Sequence, residues 1–207
     1  MSNIWLTSDL HMCHDRDFVW KVRGFNNVEE MNEALVENWN KVVKPGDIVY
    51  NLGDIALMDT QKAVEYLNRL NGKQIWILGN HDHRGRVRDI CSACSNITVS
   101  RDAYDTPLQC GNNLAHLNHY PMLTANNDEH KPFNRHVICF HGHTHQTNNW
   151  KFPDLPFMYH VGVDSHNNTP VNLDEAMTDI HNKWDSLKTD VPVIDFNNII
   201  NMPVGNK

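Results

Sequence analysis

Short apolar runs punctuate the chain, and amphipathic stretches fill several of the gaps between them. Residues 4–7, 48–52, 75–78, 114–117 and 137–140 are such runs, four or five residues long, and they predict buried strands. Residues 158–163 predict one more. Three helices are signalled by a period near 3.6. The first follows Asn27, which with Glu30 resembles a capping box; Val28, Met31, Leu35, Trp39 and Val42 form one stripe before Pro45-Gly46 stops it. The second spans about 60–70, with Ala63, Val64, Leu67 and Leu70 inward and Asn71-Gly72 at its end. The third spans about 173–187 after Asn172. Glu175 takes its reciprocal capping position, and Ala176, Met177, Ile180, Trp184 and Leu187 face inward.

Helices and strands alternate first and strands dominate later, so the pattern predicts an α/β fold of packed sheets covered by helices. The chain has 207 residues with 40% hydrophobic content, enough for one ordinary domain with a sizeable core, expected over residues 1–190. Residues 191–207 scatter Asn, Asp and two prolines among isolated apolar positions, which predicts a C-terminal tail packed as an extended arm or frayed.

Charge and cysteine usage narrow the setting. A formal net charge of −7 is a poor footprint for a protein that coats nucleic acid, so no stable nucleic-acid complex is expected. No apolar run approaches the roughly 18 residues of a membrane span, and Met1-Ser2-Asn3 leads straight into the first apolar run without a signal peptide, so no membrane association is expected. The five cysteines, Cys13, Cys91, Cys94, Cys110 and Cys139, cannot all pair internally, which predicts a reducing cytoplasm. Cys91 and Cys94 have CxxC spacing, but no second close pair completes a zinc site, and they read as two small structural thiols.

The polar residues that follow the apolar runs carry the chemistry. They are Asp9-Leu10-His11, Gly53-Asp54, Gly79-Asn80-His81-Asp82, His119 and Gly142-His143-Thr144-His145. Open α/β sheets place ligands at this position, beyond the carboxyl ends of strands. Asp9 and His11 are two apart and point to one side of an extended segment, so both can serve one metal. Asp54 follows a glycine that permits a tight turn, and its two oxygens can bridge two metals. Asn80 offers a neutral oxygen, His143 and His145 can serve one metal each, and His119 completes the set. Seven oxygen and nitrogen donors without a thiolate rank Mn²⁺ first, with Fe, Zn²⁺ and Ni²⁺ as alternatives, ahead of Mg²⁺ or Ca²⁺. Two such ions roughly 3.5–4 Å apart form a clamp that hydrolyses phosphate esters.

These motifs resemble the calcineurin-like metallophosphoesterase superfamily, whose motifs run DxH, GD, GNHD/E, H and GHxH. All five occur here in order, and the chain is most similar to small bacterial and phage phosphoesterases. It shares with them the Ser8-Asp9-x-His11-x-x-His14 opening, the Val28-Glu29-Glu30-Met31-Asn32 helix start and the Val161-Gly162-Val163-Asp164 strand. The resemblance implies a four-layer α/β/β/α sandwich of two mixed sheets flanked by helices. It implies one metal held by Asp9, His11 and His145, another by Asn80, His119 and His143, and Asp54 bridging them. A hydroxide between the metals would attack phosphorus in line, His81 would protonate the leaving oxygen, and Asp82 would orient His81.

The expected activity is hydrolysis of a small phosphodiester or nucleotide, in the cytoplasm of a bacterium or of a phage host. His14, Arg23 and Arg84 are candidates to meet the substrate phosphate. The segments 13–26 and 122–135 are expected to cap the site and set selectivity. Two alternatives share the fold. A protein Ser/Thr phosphatase reads GNHE followed by Ser-Arg, whereas Asp82 here precedes His83-Arg84 in a short chain. A non-catalytic scaffold, like the retromer subunit of the superfamily, tends to lose the ligands or the catalytic histidine, which this chain keeps.

Overall fold

The computed structural model describes residues 2–123 and 132–189. The first sheet is built from β1 (Ile4–Thr7), β2 (Ile48–Asn51), β3 (Lys73–Trp76), β4 (Ile97–Val99) and β9 (Val171–Asn172), in the order β4-β3-β2-β1-β9. Its strands are parallel except β9, which runs antiparallel to β1. The second sheet has the order β5-β6-β7-β8, from β5 (Asp105–Cys110), β6 (Asn113–Asn118), β7 (Val137–His141) and β8 (Met158–His160). Only the β5–β6 pair is antiparallel. Two mixed sheets with flanking helices form the α/β sandwich that the motifs implied.

Two hydrophobic clusters hold the layers, and side-chain alternation along each strand assigns residues to them. In β2 and its extension, Val49 points to the helix side while Leu52 points to the second sheet. The helix-side cluster receives Met31, Leu35 and Trp39 from α2 (Val28–Val42), Ala63 and Leu67 from α3 (Thr60–Leu67), and Val87 and Ile90 from α4 (Arg84–Ala93). Between the sheets, Leu6, Leu52 and Ile77 meet Leu117, Ile138, Phe140 and Tyr159. Ala176, Ile180 and Trp184 of α5 (Leu173–Thr189) join that second cluster, and α5 lies along β1 and β9.

Element ends follow local chemistry. Asn27 Oδ1 accepts a hydrogen bond from the Glu30 N–H at 2.8 Å, but the Glu30 carboxylate accepts in return from the N–H of Asn26 rather than that of Asn27. The second predicted helix is α3, which starts one residue after its cap Asp59 and ends at Leu67 rather than 70; Asn68 to Leu70 turn back as Asn71 N–H bonds Asn40 Oδ1. The predicted strand 75–78 pairs two residues earlier, since Lys73 and Gln74 already join the ladder. The strand predicted to reach 163 stops at His160, because Gly162 opens a 3-10 turn at Val163–Ser165. The sequence pattern missed α4, β4, β5, β9 and the four-residue α1 (Asp17–Trp20). Pro107 lies within β5, which tolerates it as an edge strand.

No helix among the described residues is long and apolar enough to cross a membrane. The anticipated tail, 191–207, and residues 124–131 of the anticipated 122–135 cap lie outside the described residues.

Candidate metal centre and active site

The strands β1, β2, β3, β6 and β7 all deliver a polar loop at their carboxyl ends, and those ends meet along one edge of the sandwich. The loops after β1 and β2 run side by side: Asp9 N–H bonds Gly53 O at 2.9 Å and His11 N–H bonds Asp54 O at 3.0 Å. The second sheet joins them through Gly142 and His143. The His143 N–H donates to both carboxylate oxygens of Asp9, at 3.2 and 3.0 Å. This close approach requires glycine. A Cβ on Gly142 would fall on Ser8 Oγ and the Asp9 carboxylate, and one on Gly53 would fall on the Gly79 backbone.

Five of the seven anticipated ligands sit in left-handed backbone: Asp9 (φ 58°), His11 (50°), Asp54 (53°), His143 (68°) and His145 (46°). Outside glycine this region is sparsely used, though Asp, Asn and His tolerate it best. Such strain persists only where surrounding structure over-determines it, and it clusters at functional sites.

The donors converge on two acidic residues. Asp9 and Asp54 are nearly inaccessible to solvent, and burial pushes the Asp9 carboxyl above its ordinary range. The Asp54 Oδ2 lies 3.7 Å from His11 Nε2, 3.5 Å from His119 Nε2 and 3.9 Å from His81 Nε2. His145 Nε2 lies 3.8 Å from Asp9 Oδ1, and His119 Nε2 lies 3.0 Å from Asn80 Oδ1. The His143 ring packs 5.0 Å from His119 and 4.7 Å from Tyr120, centroid to centroid. Asp9, His11 and His145 form one group whose donor atoms all lie within 4.8 Å; Asp9, Asp54 and His119 form another.

Second partners of the imidazoles fix which nitrogen is free. His119 Nδ1 is 2.8 Å from the Leu52 carbonyl, which can only accept, so Nδ1 carries the proton and Nε2 offers a lone pair. His145 Nδ1 is 2.8 Å from Asp164 Oδ2, which likewise turns Nε2 toward Asp9. That hydrogen bond raises the His145 pKa. Burial holds His11 well below the ordinary histidine range, so it is neutral, and its buried Nε2 has no hydrogen-bond partner. A buried ring nitrogen without a hydrogen-bond partner, 3.7 Å from the Asp54 carboxylate, suits a cation. Donors about 2.0–2.2 Å from one ion stand roughly 3–3.5 Å apart, close to the separations here. The residues therefore fit a divalent metal ion.

The remaining anticipated residues divide. His14 is half-buried, its Nδ1 lies 3.0 Å from His11 Nδ1 and the two rings stack at 5.2 Å. Arg84 is exposed at the start of α4 and lines a separate hollow of about 310 Å³ with Asn80. Arg23 is neither solvated nor free for substrate. Its side chain is 2% exposed, and its donors go to Asp164 Oδ1 (2.9 Å) and Oδ2 (3.2 Å), Leu10 O (2.9 Å) and Asp9 O (2.7 Å). It braces the Asp9 loop. Asp164 sits between Arg23 and His145; burial alone would raise its carboxyl, but the bond from His145 and the Arg23 charge hold it well below the usual range. The sequence contained Asp164 in its shared strand motif but gave it no role. Cys13, beside the site, is buried, and that burial pushes its thiol up to about 11, away from a nucleophilic thiolate.

Asp82 does not orient His81. Its Oδ2 accepts from Asp54 N (2.7 Å) and Gly79 N (2.9 Å), and its Oδ1 from Ile55 N (3.2 Å). The tight 79–82 turn folds the carboxylate back onto backbone amides, so it staples the β2 and β3 loops together. His81 is placed instead by its own N–H, which donates to Asp54 Oδ1 at 2.9 Å. Replacing Asp82 with alanine should leave three backbone amides without an acceptor, those of Asp54 and Ile55 buried, at about 1–3 kcal/mol for each buried one before water relieves them. We expect Tm to fall by roughly 10–20 °C. A rate loss with Tm within about 2 °C would restore the orienting role.

A family model for calcineurin-like phosphoesterases matches residues 2–194. The chain belongs to this family. It is a metal-dependent phosphoesterase by membership, and its Asp/His clusters could hold a divalent metal ion. An uncharacterized protein of Methanocaldococcus jannaschii is 34% identical over 182 residues, covering 84% of this chain and 89% of that protein. The gene 66 protein of Mycobacterium phage L5 is 29% identical over 188 residues, covering 80% and 88%. A protein of unknown function from Aquifex aeolicus shares the fold with a TM-score of 0.64 and 19% identity, over 86% of this chain and 99% of that one.

Proposed function

We propose that this phosphoesterase hydrolyses a small phosphodiester or nucleotide at a pair of divalent ions, with Mn²⁺ first in rank. The observation that carries the reading is the convergence of oxygen and nitrogen donors from five strand ends, without a thiolate, around two buried carboxylates. Asp9, His11 and His145 would hold one ion, Asn80, His119 and His143 the other, and Asp54 would stand between them. Bound divalent ions would supply positive charge for the ester oxygens and an activated water as the nucleophile.

The chain's own groups do the rest. His81 is half-exposed beside Asp54, where an imidazole can give a proton to the leaving oxygen. If His11 uses Nε2 toward the metal, its Nδ1–H donates to His14 Nδ1. His14 then carries its own proton on Nε2 and can donate to a phosphate oxygen. Arg23 and Asp164 hold the Asp9 loop and the His145 ring in place. The complete donor set with His81 beside it favours catalysis over a scaffold role.

Turnover tests the reading. Chelated protein should be inactive on bis-p-nitrophenyl phosphate and regain activity with Mn²⁺. Cyclic and linear nucleotides should be cleaved with higher kcat/KM than a DNA duplex, because a net charge of −7 repels a long polyanion. No turnover with any divalent ion, or preference for the duplex, would overturn it.

A further inference from the structure

A cleft of about 780 Å³ opens beside the metal centre, far more than a phosphate group needs. His11, His14, His81 and His145 form its inner wall, so whatever occupies it is continuous with the reacting phosphate. Its outer wall is apolar: Phe18, Val19 and Val22, on and just after α1. Phe18 is 65% exposed and Val22 76% exposed, so neither is spent on the core. Two large apolar side chains held over a polar catalytic edge gain from covering by a ligand.

The cleft carries no spare fixed charge away from the metal ligands. Arg23 and Asp164, the charged residues that line it, neutralise each other at 2.9 Å. The organic part of the substrate should therefore be neutral. Asn167 and Asn168 line the cleft in left-handed backbone (φ 52° and 57°), and Asn167 is exposed. An exposed aromatic ring and an exposed amide lining one cleft suit a flat heterocycle with hydrogen-bonding edges. The Phe18 ring stands at 88° to His14 with centroids 5.8 Å apart, leaving an aromatic wall next to the donor histidines.

We infer that this cleft is a nucleobase pocket, with the base stacked on Phe18 and flanked by Val22, and that the substrate's leaving group is a nucleoside alkoxide. This deepens the phosphoesterase reading and rests on it. His81 lines the same cleft, so the leaving side of the ester falls there. Selectivity thus comes from the 13–26 segment.

Ester pairs that share one alkoxide isolate the base. Adenosine 5′-phosphate and ribose 5-phosphate, each as monoester and methyl diester, differ only by the heterocycle. With Mn²⁺ the nucleoside ester should have a kcat/KM about tenfold or more above the ribose ester, the size expected of one stacked base. Phe18→Ala should bring that ratio to within about twofold, mostly through KM, and Phe18→Trp should keep it. Because Phe18 is largely exposed, both variants should keep the wild-type Tm. Saturation-transfer NMR with adenosine and metal-free protein should show base-proton contacts that Phe18→Ala loses. Turnover of bis-p-nitrophenyl phosphate without a nucleoside preference, or a preference that survives Phe18→Ala, would overturn the pocket and leave the phosphoesterase standing. Absence of turnover on every ester would overturn both.

Discussion

Replacing Asp54 with alanine should strip the centre of bound metal. Its Oδ2 is the acid oxygen nearest to three imidazoles, those of His11, His119 and His81, at 3.5–3.9 Å. Asp54 faces His11 of one donor group and His119 of the other from a nearly inaccessible position, beside Asp9, which belongs to both groups. Two like-charged ions held close together need an anion between them, and alanine offers none. We expect metal content to fall from two ions per chain to one or fewer. The rate at saturating substrate should fall by roughly 10²–10⁴, as loss of several kcal/mol of charge stabilisation implies. Folding should survive, because Asp82 still staples the loops through the backbone N–H groups of residues 54, 55 and 79, and the bond lost is the one from His81 N–H to Asp54 Oδ1. Alanine at φ 53° adds only about 1–2 kcal/mol of backbone cost. Full two-ion content in the variant, measured by elemental analysis, would refute the bridging role.

The candidate donors that the structure brings together were legible because their spacing is local. A buried strand ends, a turn begins, and the first polar side chains past β1, β2, β3, β6 and β7 must face the same edge when those strands run alike within each sheet. What the sequence concealed is pairing over distance. Arg23 looks like a free cation, yet its partner Asp164 lies 141 positions away and its other acceptors are carbonyls of the Asp9 loop. Asp82 follows His81 directly, which suggests the adjacent imidazole as its partner. The turn at Gly79 instead brings three backbone amides closer, and unsatisfied buried amides claim a carboxylate first. The pattern of α4 was hidden for another reason: only Val87 and Ile90 are buried in a run otherwise polar, too few to show a stripe.

The strained backbone explains why these loops need such support. Asp9, His11, Asp54, His143 and His145 each hold a left-handed conformation that an isolated loop would leave. The Asp82 staple, the Arg23 brace and the paired loops after β1 and β2 fix them before any ligand arrives. A centre organised in advance spends little binding energy on ordering its ligands, so its chemistry depends on the few exposed side chains beside it. His81 is the foremost of these, with a side chain 46% exposed.

His81→Ala should therefore separate chemistry from assembly. The backbone N–H of residue 81 still donates to Asp54 Oδ1, so the turn and the metal ligands keep their places. Metal content and Tm should match the wild type. The rate on esters with alkoxide leaving groups should fall by about 10²–10⁴, the usual contribution of a positioned general acid. An alkoxide leaves badly without a proton, whereas p-nitrophenolate is stable as the anion. The loss on bis-p-nitrophenyl phosphate should accordingly be far smaller, within about tenfold. A plot of log kcat against leaving-group pKa should be steeper for the variant than for the wild type. Equal losses on both kinds of ester, with metal content unchanged, would remove His81 as the acid and turn attention to His14, whose ring lies 6.4 Å from that of His81.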